Sequence, residues 1–248
     1  MPDSAKRISV LLGGTGEVGS QVAERLAEPG AVLVLSYLSR SDRALVVAER
    51  LRAKGAEVVL VEGNIAAPDT LEFLVASVEQ AGGLCHRLVH SVALTSFKPL
   101  RDVRPNQWDL TLGVSARSLL DVVRALREPL VRARGSVVAI SSQGSRRFLP
   151  GYGALGPAKA ALEATVRQLA VELSPEDVRV NGVCAGLLEG ETLRHFPAEV
   201  CAEVVRRTPL GRLGRTDEVA EVVCFLLGPA SSWILGQIVE VDGGFSLV

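Results

Sequence analysis

Short apolar, β-branched runs alternate with longer stretches of helical periodicity along almost the whole chain. The short runs fall at 8–12, 31–36, 58–61, 88–92, 137–141, 178–183 and 238–241. Between them, apolar positions recur at helical spacing over 18–27, 43–54, 69–80, 106–132, 158–173 and 217–227. The short runs are almost continuously apolar, as strands are when both faces are covered and crossover helices connect them in parallel. The pattern predicts an α/β fold: a doubly wound parallel sheet of seven strands between two helical layers. No linker, repeat or low-complexity stretch interrupts it, which predicts one domain over 1–248. Only 187–212 breaks the alternation. It follows the sixth strand, and ligands of open α/β sheets bind beyond the strands' carboxyl ends. This insertion is therefore the expected substrate lid.

Composition narrows the partners. With 248 residues, 48% of them hydrophobic, the chain can bury a sizeable core. A net charge of −1 provides no basic field for nucleic acid and no polybasic membrane footprint. No apolar run is long enough to span a bilayer. Residues 1–7 lead through a short apolar run into glycines, unlike a secretory leader, so the expected location is the cytoplasm. Cys85, Cys184, Cys201 and Cys224 lack metal-ligand spacing and read as reduced thiols; no metal is expected.

Candidate chemistry sits at two places. The first predicted strand enters Gly13-Gly14-Thr15-Gly16-Glu17-Val18-Gly19 and then a helix. Such a turn lets the backbone approach a pyrophosphate and aims it at a helix N-terminus. The second strand ends without an acid to grip a ribose 2′-hydroxyl, and Arg40 and Arg43 follow. That combination favours a 2′-phosphate, hence NADPH over NADH, although Glu17 carries a charge that would repel phosphate. Asn64 and Ile65 are expected beside the adenine, and 90–93 beside the riboses. His90, isolated at a strand end, is given no chemistry.

The second place follows the fifth strand. Tyr152 and Lys159 are separated by six residues. A nearby ammonium favours the phenolate. A separation of seven positions is nearly two helical turns, about 10.5 Å of rise. Pro157 belongs in a helix's first turn, which predicts that Lys159 opens the long helix and Tyr152 lies in the lead-in. Ser142, with Ser141 beside it, is positioned to donate to a substrate oxygen.

The glycine turn, Asn64-Ile65, the Ser142/Tyr152/Lys159 set, 181–186 and Val241-Asp242-Gly243-Gly244 occur in the order found in short-chain dehydrogenase/reductases, which nearly the whole chain resembles. Within that family it is similar to the enoyl-acyl-carrier-protein reductases, especially type III. The Tyr-x6-Lys spacing carries this likeness, with 141–145, 159–163, 169–175 and Arg194-His195-Phe196-Pro197. Val89-His90-Ser91-Val92 looks like type I enoyl reductases, and Ser115 stands where ketoreductases usually have an asparagine. The commonest short-chain reductases place the tyrosine where Leu155 stands here. Glu17 replaces the middle glycine of the family turn, Leu12 its threonine, Gly16 a common arginine, and Asn64 a usual aspartate.

The resemblance implies a Rossmann-type fold and an NADPH-dependent reductase of the C2=C3 bond of a trans-2-enoyl thioester, carried by acyl carrier protein or coenzyme A. It implies catalytic roles for Tyr152, Lys159 and Ser142. It further implies coenzyme contacts at Gly13, Thr15, Gly16, Val18 and Gly19, at Arg40, Asn64 and Ile65, and at Ser91, Val92, Lys159, Gly186 and Leu188. A homotetramer joined through 106–132 and 158–173 is expected. In a ketone the hydride-accepting carbon and the oxygen lie about 1.2 Å apart, whereas in an enoyl thioester C3 and the carbonyl oxygen are roughly 3 Å apart. An acid displaced along the chain suits the second geometry. The rival expectations are a carbonyl reductase of a polyketide-like intermediate and a non-catalytic NADPH-binding sensor.

Overall fold

The computed structural model describes residues 6–94 and 96–248. The first five residues, on which the leader reading partly rests, lie outside the described residues. Seven strands, β1 (Arg7–Leu12), β2 (Ala31–Tyr37), β3 (Glu57–Glu62), β4 (Arg87–His90), β5 (Ser136–Ser142), β6 (Arg179–Ala185) and β7 (Ile238–Val241), form one sheet ordered β3-β2-β1-β4-β5-β6-β7. Every neighbouring pair is parallel. This is the doubly wound architecture expected from the sequence.

Alternation along each strand divides two cores. Ile8, Val10 and Leu12 of β1 join one apolar cluster and Leu11 the other. In β2, Val32 and Val34 face the first while Leu33 and Leu35 face the second. Helices α1 (Glu17–Leu26) and α2 (Ser41–Ala53) supply Val22 and Leu51 to the second cluster. Helix α3 (Pro68–Ala81) supplies Leu74 to the first. Because both faces are covered, the strands lack the polar alternation of a half-exposed sheet.

The expected helix over 106–132 is instead four segments: α4 (Pro105–Leu112), a π-helical turn (Gly113–Arg117), α5 (Ser118–Ala125) and α6 (Arg127–Ala133). Pro129 has no N–H to offer Ala125, so the helical ladder breaks at Leu126, whose φ and ψ are −100° and 15°. Helix α7 spans Leu155–Leu173, three residues longer at its start than the expected 158–173. Pro157 is its third residue, within the first turn as expected. The four leading N–H groups of a helix lack intrahelical partners, so proline is tolerated there. Lys159 accordingly lies in the second turn of α7.

Residues 187–212 carry a 3₁₀ turn (Glu191–His195) and α8 (Ala198–Arg207), and α9 (Thr216–Leu227) follows. No helix among the described residues is long and apolar enough to cross a membrane.

Candidate active site

Strand order reverses between β1 and β4, and the chain turns there, at the carboxyl ends, into the glycine turn and Ser91. A crevice at such a point is where open α/β sheets bind ligands. Ser91 Oγ donates to Leu12 O at 2.7 Å, fastening the two strand ends. Gly13 has φ +71°, and Gly13 N donates to Ser36 Oγ at 3.2 Å. A Cβ on Gly19 would overlap Gly13 O, so α1 packs against the turn with no room for a side chain.

A cleft of about 670 Å³ opens here. Gly13, Thr15, Gly16, Arg40, Asn64 and Ile65 line one end, and Ser91, Val92, Ser142, Tyr152 and Lys159 the other. Of the residues expected at the coenzyme, Val18, Gly19, Gly186 and Leu188 do not line this cleft. Val18 packs on the second core cluster, and Gly186 and Leu188 border a smaller cavity of about 150 Å³. Sequence reasoning missed Phe97, Thr192, Arg194 and His195, which also line the cleft. The last three come from the lid, and no local periodicity marked their direction.

Lys159 is buried, and Nζ donates to Ile140 O at 2.7 Å and Val92 O at 3.4 Å. An ammonium has three donors, so one remains for a ligand in the cleft. Burial pushes this amine down to about 8, against smaller opposing contributions from Cys184 and Glu163. Tyr152 sits in the lead-in to α7, where its carbonyl accepts Gly156 N at 2.8 Å. Burial pushes its phenol up, and the Ser142 hydroxyl pulls weakly the other way. The Lys159 ammonium, for its part, is directed at two backbone carbonyls rather than hydrogen-bonded to the phenol. Tyr152 is thus held as a protonated donor.

Ser141 and Ser142 separate cleanly. Ser141 Oγ donates to Glu163 Oε1 at 2.7 Å, beside Ser145 Oγ at 2.6 Å and Arg146 Nε, which reaches Glu163 Oε2 at 3.0 Å. Ser142 faces the phenol, yet its Oγ is buried without a well-formed hydrogen bond among the described residues. A buried hydroxyl without a partner is costly unless a ligand completes it.

His90 is fully buried, with Nε2 2.8 Å from Ser118 Oγ. Burial, assisted by the Lys159 charge, pushes it down to about 3, so it stays neutral and packs the strand end as expected. Ser115 sits on the π-helical turn and accepts Leu94 N at 3.1 Å, which ties the loop after β4 to the helix.

Whether a dinucleotide suits this cleft is decided by its walls. The side-chain-free cradle at Gly13 and Gly19, the two guanidinium groups beyond β2 and the unpartnered Ser142 all fit one. Glu17, beside the helix N-terminus, is the opposing charge. Its carboxylate accepts Glu191 N and Thr192 Oγ1, the latter at 2.7 Å, so lid donors share that charge. The residues fit the group.

Comparison with known proteins agrees. A family model described as "Enoyl-(Acyl carrier protein) reductase" matches residues 15–246. The chain is 32% identical to the 1-cyclohexenylcarbonyl-CoA reductase of Streptomyces collinus, over 98% of this chain and 88% of that relative. It is 27% identical to the 3-oxoacyl-[acyl-carrier-protein] reductase FabG of Thermotoga maritima, over 96% and 97% of the two chains. A short-chain type dehydrogenase/reductase from Mycobacterium ulcerans superimposes with TM-score 0.90 at 28% identity, covering 98% of this chain and 90% of that one. The family match over residues 15–246 and these relatives show that the chain belongs to the short-chain dehydrogenase/reductase family, as an NAD(P)H-dependent oxidoreductase of the enoyl-acyl-carrier-protein-reductase type.

Proposed function

We propose that this oxidoreductase reduces the C2=C3 bond of a trans-2-enoyl thioester with NADPH. The observation that carries the reading is the half-buried Tyr152, placed before α7 and facing the unpartnered Ser142 hydroxyl, with its phenol pushed up by desolvation. Bound NADPH would supply hydride to C3 of the substrate. Charge then develops on the thioester oxygen, where the Tyr152 and Ser142 hydroxyls act as donors. The free N–H of Lys159 holds the nicotinamide ribose, and Arg40 and Arg43 receive the 2′-phosphate. C2 then takes a proton, delivered by water or through a relay of side chains. Behind Tyr152 an apolar wall of Leu149, Pro150, Leu187, Phe196, Val200 and Phe245 suits an acyl chain. Lid residues 187–212 exclude water from it. The thioester is carried on acyl carrier protein or coenzyme A. The working assembly is a homotetramer, for which exposed Leu110, Leu120 and Val171 on α4, α5 and α7 offer apolar contact.

Crotonyl-CoA and acetoacetyl-CoA, assayed side by side by NADPH oxidation, test this. Faster turnover of crotonyl-CoA supports it; turnover of acetoacetyl-CoA alone refutes it. The second reading, a ketoreductase, is favoured by the likeness to the Thermotoga 3-oxoacyl reductase.

A further inference from the structure

The lid reaches back over the coenzyme cleft and engages both arginines there. Glu191 accepts Arg40 Nη1 through one carboxylate oxygen and Arg43 Nη1 through the other, each at 3.2 Å. A phosphate monoester offers two guanidinium groups the same thing, anionic oxygens spaced for separate donors. One residue back, Gly190 has φ +144°, and a Cβ there would overlap the Glu17 carboxylate. Glu17 in turn accepts Glu191 N and the Thr192 hydroxyl. The lid therefore has two anchors in the cleft, one on the glycine turn and one on the arginine pair.

We propose that Glu191 is a coenzyme-specificity residue: its carboxylate occupies the Arg40–Arg43 pair, and a nucleotide 2′-phosphate must displace it. The proposal rests on the coenzyme assignment above. A nucleotide lacking the 2′-phosphate leaves these ion pairs intact, whereas one bearing it detaches the second anchor. Only a ligand that discriminates between the two lid positions can shift their balance. Coenzyme identity is thus coupled to lid position. The ion pairs are solvent-accessible, so the latch is weak and its effect amounts to about threefold to tenfold in affinity.

Glu191→Gln removes the charge and keeps the shape. Adenosine 2′,5′-bisphosphate and 5′-AMP, titrated calorimetrically into wild type and variant, isolate the arginine end from the nicotinamide end. The expected result is a tightening of the bisphosphate by about threefold to tenfold with 5′-AMP unchanged. Equal shifts for both nucleotides, no shift, or a weaker bisphosphate would overturn the proposal. Dissociation constants of NADPH and NADH for the wild type test the coenzyme assignment separately. Wild type preferring NADH, with the bisphosphate gaining in the variant, sinks NADPH as coenzyme but leaves Glu191 as the residue that excludes the phosphate.

Discussion

Replacing Tyr152 by phenylalanine separates packing from chemistry at the reacting end. The ring lies 5.8 Å from Phe97 and 6.0 Å from Phe196, and its edge abuts Gly144, where a Cβ would overlap it. Phenylalanine keeps all of those contacts. Only the hydroxyl is lost, and in the free protein it makes no well-formed bond with Ser142. The fold should therefore lose less than about 1 kcal/mol in urea denaturation. The rate should fall far more. One hydrogen-bond donor to a developing oxyanion is worth about 100- to 1000-fold in turnover, or ~2.7–4 kcal/mol. Turnover of crotonyl-CoA, followed by loss of NADPH absorbance, supplies the first number, and fluorescence titration of NADPH should stay within twofold. Burial raises the phenol, so this residue's favourable neutral form is complete below the ordinary value of about 10 and is lost only above it. Wild-type turnover should then show no loss attributable to this group between about pH 6 and about pH 9. A variant retaining a third or more of wild-type turnover removes Tyr152 from the mechanism. A fold weakened by more than about 2 kcal/mol shows that the hydroxyl has a structural partner.

Gly19→Ala forces a Cβ against Gly13 O, so NADPH affinity should drop at least tenfold while overpacking costs about 1–3 kcal/mol; an unchanged dissociation constant defeats it. Glu163→Ala strips Ser141, Ser145 and Arg146 of their shared acceptor, and urea unfolding should register a loss of about 2–4 kcal/mol, with less than about 1 kcal/mol counting against it. Lys159 holds its proton less tightly folded, at about 8, than in the unfolded chain, where 10.5 is the reference value. Wild-type stability without nucleotide should consequently rise from pH 8 to 10.5 relative to Lys159→Met, and parallel pH profiles would rule this out.

Strand positions were legible because burial on both faces writes itself locally, as continuous apolar runs such as that of β2. The long helix before β5 was not. Pro129 marked its break openly, but apolar periodicity continued through it and hid the interruption, while the π-helical turn at Gly113–Arg117 has no sequence period of its own. At the site, the glycine turn was visible because it adjoins the end of β1, and Tyr152 and Lys159 because their spacing falls on one short stretch at the start of α7. Glu17 was misjudged as simple repulsion. Its partners, Glu191 and Thr192, lie 174 and 175 residues away, and only the folded chain brings them together. The choice between Ser141 and Ser142 likewise turned on Glu163, a buried acid one helical turn beyond Lys159.

The fit between Glu17 and Gly190 makes the order of inheritance directional. A lineage that sheds the acid at 17 removes the three atoms nearest to a side chain at position 190. A methyl group arriving at 190 first must evict the carboxylate and adopt a backbone angle natural only to glycine. Mutation can leave this arrangement easily by one door and hardly at all by the other.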